Sequence, residues 1–276
     1  MKNPLVRFNN LTQRLVTALA GSAALIACIV YGPWSYYLIF LFITFFTLLE
    51  FYRLSGLDGM VPQKTFGILI GLIIFSATFF IEFEHISYRY YFLIFPLMSC
   101  VYLIKLYKKS EKKPFTNTAY TFLGLFYVAA PFALLNIAVF ENGTYNYEII
   151  LGSLLILWAN DTGAYFAGLQ FGRTKLFERI SPKKSWEGAI GGGVLGLLFA
   201  WGISGYFQTL EVWQWMIVGV IIIVCGDYGD LVESHLKRSI EIKDSGTSLL
   251  GHGGFLDRFD GLLISAPFIV AFIEIF

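Results

Sequence analysis

The chain alternates between long apolar runs and short polar breaks, and the runs set its architecture. Nine segments stay apolar for roughly the length that crosses a hydrocarbon core, which takes about 20 helical residues. They are Leu15–Tyr31, Trp34–Phe51, Phe66–Ile81, Tyr90–Leu106, Ala119–Phe140, Ile149–Phe171, Gly188–Phe207, Val212–Tyr228 and Phe259–Phe276. Lipid offers no partner for open backbone groups, so each is predicted as a helix. The pattern predicts an all-α integral membrane protein, a polytopic helical bundle of about nine transmembrane helices. Leu15–Tyr31 follows Lys2, Arg7 and Arg14 in the manner of a signal peptide, but further membrane segments follow it at once. It therefore reads as a first span and not as a cleaved leader.

The basic residues orient this bundle. With the N-terminus in the cytoplasm and nine alternating spans, 19 of the 20 Lys and Arg residues fall on the cytoplasmic side, and only Arg89 falls outside. Such a bias is the usual signature of orientation. It predicts a cytoplasmic N-terminus and a C-terminus outside. Residues 1–146 read as an N-terminal transmembrane scaffold. Residues 147–276 read as a catalytic transmembrane region with two cytoplasmic loops, because polar residues enter its spans.

Composition agrees. Hydrophobic residues make up 57% of the chain and charged residues 14%, against about 25% charged in soluble domains. A net charge of +1 gives no reason to expect a nucleic-acid partner. Cys28, Cys100 and Cys225 each lie inside an apolar run and read as buried thiols, not as a disulfide framework or a metal cluster.

Four polar clusters carry the candidate chemistry. In "WANDTGAYFAG", Asn160 and Asp161 lie within a predicted span. An acidic residue at a helix centre costs about 2.5–3.5 kcal/mol on insertion scales, which marks a protein interior or a wet cavity. In "GRTKLFERISPKKSWEG", Ser181 and Pro182 are expected to start a helix, with Lys183 and Lys184 beside it, a combination that suits phosphate. Gly191–Gly193 then read as a close helix-packing surface.

The third cluster extends the eighth span as a helix. On it Asp227, Asp230, Ser234, Lys237, Arg238 and Glu241 fall within an arc of roughly 100°. Two carboxylates one turn apart repel unless a cation lies between them. The fourth cluster, "GHGGFLDRFDG", places Asp257 and Asp260 on one face of the entry turn of the last span, with His252 and Arg258 nearby. Asp227, Asp230, Asp257 and Asp260 together form an oxygen-rich set that suits Mg²⁺. A lone histidine without cysteines disfavours zinc. The residues alone thus describe metal-assisted phosphoryl or nucleotidyl transfer on a lipid, or a cation-coupled transporter.

The stretch "SHLKRSIEIKDSGTSLLGHGGFLDRFD", Ser234 to Asp260, resembles the signature of the phosphatidate cytidylyltransferases (CDP-diacylglycerol synthases). Its spacing matches throughout, except that Leu250 stands where that family has Pro or Gly. "NDTGAYFAG" and "ISPKKSWEGAIGG" resemble the same family. The resemblance implies that CTP and phosphatidic acid give CDP-diacylglycerol and pyrophosphate, with Mg²⁺ and, as a further expectation, a monovalent cation. It implies that Asp230, Asp257, Lys237 and Arg238 are catalytic. Asn160, Asp161, Ser181, Lys183, Lys184, Ser185, Ser234, His252 and Arg258 would bind substrate. A homodimer, and a bacterial inner membrane with the site on its cytoplasmic side, complete the expectation.

Overall fold

The computed structural model describes residues 4–57, 59, 61–107, 113–141, 143–242 and 254–276. Its helices are α1 (Pro4–Tyr31), α2 (Pro33–Leu57), α3 (Lys64–Phe83), α4 (Ile94–Leu106), α5 (Pro114–Gly124), α6 (Ala130–Ala138), α7 (Glu148–Phe171), α8 (Trp186–Ile203), α9 (Val212–Ser239) and α10 (Leu256–Ile275). A 3₁₀ turn, Tyr88–Leu93, leads into α4. A π-helical turn, Leu125–Ala129, joins α5 to α6 without a break. Pro131 accounts for that turn. It has no N–H to give the carbonyl one turn back, and the wider π geometry accommodates the gap.

Seven helical segments among the described residues are long and apolar enough to cross a membrane. The expected first span is represented by the shorter apolar stretch Ala18–Tyr31. The expected last span is α10, whose 20 residues include Asp257, Arg258, Asp260 and Glu274.

One apolar core runs from Leu25 on α1 to Val270 on α10, so the scaffold half and the C-terminal half pack as one body. Phe132 of α6 meets Phe259 of α10 edge-on, with ring centroids 5.8 Å apart. Small residues set the closest crossings. A Cβ on Gly163 of α7 would lie 2.8 Å from Gly191 O of α8, and one on Gly229 of α9 would lie 2.8 Å from Gly261 Cα of α10. Gly191 and Gly192 thus do serve close helix packing, whereas a Cβ on Gly193 would make only ordinary contact with Ile223.

Two expectations are corrected. Ser181 and Pro182 do not start a helix. Residues Ser181–Ser185 form β4, paired antiparallel with β3 (Lys175–Phe177), and α8 begins at Trp186. Pro182 lacks an N–H to donate but is tolerated in a strand at a sheet edge. The true helix cap is Ser185, whose Oγ accepts from Gly188 N at 3.2 Å. The polar stripe of α9 is also shorter than expected. The helix ends at Ser239, and Glu241 adopts a left-handed φ of 58° outside it. A second small hairpin, β1 (Phe140–Glu141) with β2 (Thr144–Tyr145), links α6 to α7.

Candidate functional site

Up-and-down connectivity gathers four helix ends on one side of the bundle: the C-terminal ends of α7 and α9 and the N-terminal ends of α8 and α10. Between them and the β3–β4 hairpin lies a cavity of about 890 Å³. Its lining includes six carboxylates, Asp161, Asp227, Asp230, Glu233, Asp257 and Asp260, and five basic side chains, Lys175, Lys183, Lys184, Lys237 and Arg258.

α9 builds the central wall. It continues past its apolar part because its side chains support each other one turn apart. Ser234 Oγ donates to Asp230 Oδ1 at 3.2 Å, and Lys237 ion-pairs with Glu233. α10 supplies the facing wall. Asp257 Oδ2 accepts from Gly254 N at 2.9 Å, tying down the chain that enters the helix. An acidic residue in a first turn is also favoured by the helix dipole. Asp260 Oδ1 accepts from Gly261 N at 2.8 Å.

Two lysines hold the walls together. Lys237 Nζ lies 2.7 Å from Asp257 Oδ1 and also pairs with Glu233, so it links α9 to α10. Lys184 reaches in from β4. Its Nζ is 2.8 Å from Asp230 Oδ2 and 3.4 Å from Asp227 Oδ1. Burial pulls the Lys184 pKa down, but Asp230 and Asp227 more than offset this, and it ends above its ordinary value. The cation that the Asp227–Asp230 pair requires is, in this structure, an ammonium group.

One ligand atom each from Asp230, Glu233 and Asp260 come within 4.8 Å of one another, in a pattern able to hold a metal ion. Three hard oxygen donors at a cavity wall fit a cation such as Mg²⁺, which prefers carboxylate and water. Glu233 escaped the sequence reading although it lies three residues from Asp230. It sits about 60° round the helix from Asp230, turned toward α10, so its membership depends on which helix packs there.

The other expected residues divide. Asp161, Lys183, Lys184, Ser185 and Arg258 line the cavity. Asn160 is fully buried behind it at the α7–α8 crossing, where a Cβ on Gly192 would meet its Oδ1 at 2.7 Å. Ser181 and Ser234 stand beside the cavity and outside its lining. Arg238 is exposed and donates to Ile242 O at 3.0 Å, closing the end of α9. His252 lies outside the described residues, as do Lys243, Asp244 and Leu250 of the same signature.

Curated relatives named phosphatidate cytidylyltransferase resemble part of this chain in sequence. That of Aquifex aeolicus (strain VF5) is 39% identical over 186 residues, which is 64% of this chain and 66% of the relative. That of Staphylococcus aureus (strain COL) is 37% identical over 172 residues, 62% of this chain and 64% of the relative. That of Bacillus subtilis (strain 168) is 40% identical over 133 residues, 48% of this chain and 49% of the relative. The chain therefore spans just under two thirds of the length of the first two and about half of the third. A sequence profile of the Cytidylyltransferase family matches residues 12–276, and the chain belongs to that family.

Proposed function

We propose that the protein transfers the cytidylyl group of CTP to phosphatidic acid, releasing pyrophosphate. The observation that carries this is the cavity in which Asp230, Glu233 and Asp260 converge beside five basic side chains, on a chain of this family. The names of the relatives supply the lipid acceptor. Family membership and the gathering of polar groups at one end of the bundle speak against a cation-coupled transporter.

In the proposed reaction a phosphate oxygen of phosphatidic acid bonds to the α-phosphorus of CTP. The bond from that phosphorus to the bridging β-phosphate oxygen breaks, and pyrophosphate leaves with the electron pair. The nucleophile is already ionised, so no general base is required. The difficulty is the approach of two anions and the charge on the leaving group, which positioning and electrostatic stabilisation address. Lys183, Lys184 and Arg258, which line the cavity, would bind phosphates. Lys237, held between Glu233 and Asp257, orients the acidic wall. Asp230 and Asp260, with Glu233, would hold Mg²⁺, with Asp227 and Asp257 beside them. The ion would supply charge stabilisation to the phosphates.

The bias of the basic residues supports a site on the cytoplasmic face of a bacterial inner membrane, with the N-terminus inside and the C-terminus outside. Homodimerisation rests on the family resemblance alone. The deciding experiment measures pyrophosphate release by purified protein in detergent micelles, with CTP, phosphatidic acid and Mg²⁺ omitted in turn and ATP replacing CTP. Release that needs all three components supports the proposal. Release with CTP and Mg²⁺ but independent of phosphatidic acid would overturn the assignment of the acceptor.

A further inference from the structure

The first N–H groups of a helix have no partner within it and need an acceptor from elsewhere. Phe255, which precedes α10, has no side-chain acceptor to offer. The acceptor comes instead from the scaffold half. Leu256 N donates to Glu50 Oε2 at 3.0 Å, across 206 residues of sequence. Glu50 lies on α2 and is only 3% exposed. Its other carboxylate oxygen has no hydrogen-bond partner, and among the described residues no basic side chain forms an ion pair with it.

A buried carboxylate so poorly compensated is costly, and ionisable groups in membrane helices usually mark function. What offsets the cost here is the N-terminal end of α10, through one N–H and the positive end of its dipole. The neighbouring side chains reinforce the same junction. Phe42 and Phe46, also on α2, pack on Phe255 with ring centroids 5.8 and 5.3 Å away. α2 thus holds the entry to α10 by an aromatic stack and a hydrogen bond. The turn held this way carries Asp257, Arg258 and Asp260, three of the four α10 residues that line the cavity.

We infer that Glu50 is a positioning residue for cytidylyl transfer. Its carboxylate fixes the first turn of α10, and so sets Asp257 and Asp260 against Asp230 and Lys237. The inference rests on the proposed function for its chemistry, but the contact itself lies outside the cavity. Groups that orient metal ligands typically change metal affinity or activity by about 10–100-fold when removed.

The test uses the full-length protein in micelles and three variants. Glu50→Met fills the same space without an acceptor, and Glu50→Gln restores one. Mn²⁺ binding followed by electron paramagnetic resonance without substrate gives a readout separate from turnover. Thermal unfolding without metal reports stability. The expected result is a loss of about tenfold or more in Mn²⁺ affinity and kcat in Glu50→Met, with Glu50→Gln close to the parent. Parent-like affinity and kcat in Glu50→Met overturn the inference, and so does a change confined to the unfolding temperature. If Glu50→Met does not accumulate, Glu50→Asp replaces it, since it withdraws the carboxylate from Leu256 by one methylene. Parent-like values there are equally fatal. If the parent binds no Mn²⁺, the metal reading fails by itself. Glu50 is then judged on kcat at saturating CTP, where a loss in Glu50→Met that Glu50→Gln recovers supports the inference and no loss overturns it.

Discussion

Lys184 shows how much one side chain can settle. Its ammonium stands between Asp227 and Asp230, and both carboxylates would repel each other without it. Lys184→Met should lower turnover by about 10²-fold, with membrane insertion unchanged, as read by pyrophosphate release and by the yield of folded protein in micelles. Its pKa is raised above the ordinary 10.5. A raised lysine contributes stability that is fully present below its unfolded pKa and is lost only as pH rises through the folded one. Thermal unfolding of the parent should therefore show no inflection from the titration of Lys184 itself between pH 6 and 9. Asp257→Asn should remove most activity, because it weakens the link to Lys237 that joins α9 to α10. Asp260→Asn should lose about 10²–10³-fold, and near-parental pyrophosphate release from it would count against its place among the metal ligands.

At the scale of elements, the site depends on how closely α9 and α10 cross. Gly229 permits that approach, since a Cβ there would meet the backbone of Asp260 and Gly261. Neither neighbour is a flexible side-chain tip that can move aside. Gly229→Ala should therefore push the helices apart, cost about 1–3 kcal/mol of stability, and spread Asp230, Glu233 and Asp260. The check is a lower unfolding temperature together with a raised Mg²⁺ requirement for pyrophosphate release. A stable variant with unchanged metal requirement would show that the crossing does not control the site. The α7–α8 pair is built in the same way around Gly163 and Gly191. Its role is to bring Asp161 to the cavity while Asn160 stays buried in the crossing.

For the whole molecule, the bundle places the charged ends of four helices against one hairpin and turns many large apolar side chains outward elsewhere. Exposed Ile190, Val194, Leu198 and Trp201 on α8 form such a lipid-facing side. Chelation of divalent ions should abolish pyrophosphate release, and added Mg²⁺ should restore it. Activity that survives exhaustive chelation would remove the metal from the proposal. The β3–β4 hairpin carries Lys175 and Lys183 at the cavity mouth. Trypsin should cut there in inverted membrane vesicles and spare it in right-side-out ones, and the reverse pattern would invert the proposed orientation.

The pattern of apolar runs marked where the long helices lie, because lipid leaves the backbone no other choice; of the nine expected spans, seven correspond to helical segments among the described residues long and apolar enough to cross a membrane. Asp230, Asp257, Lys184 and Lys237 also stood out along the chain, as charged groups gathered where apolar runs end, and all four line the cavity. Local sequence did not reveal that Ser181–Ser185 is a strand, because Pro182 suits a helix start as well as a sheet edge, and pairing with Lys175–Phe177 decided between them. Nor could it show which carboxylates converge. Glu233 joins Asp230 and Asp260 only because Gly229 lets α10 pack against that face. Glu50 lies 206 residues from the amide it meets, and no local pattern encodes such a contact. Periodicity and charge are properties of neighbours along the chain and can be read there. Contacts between helices depend on crossing and depth, and those exist only once the bundle has packed.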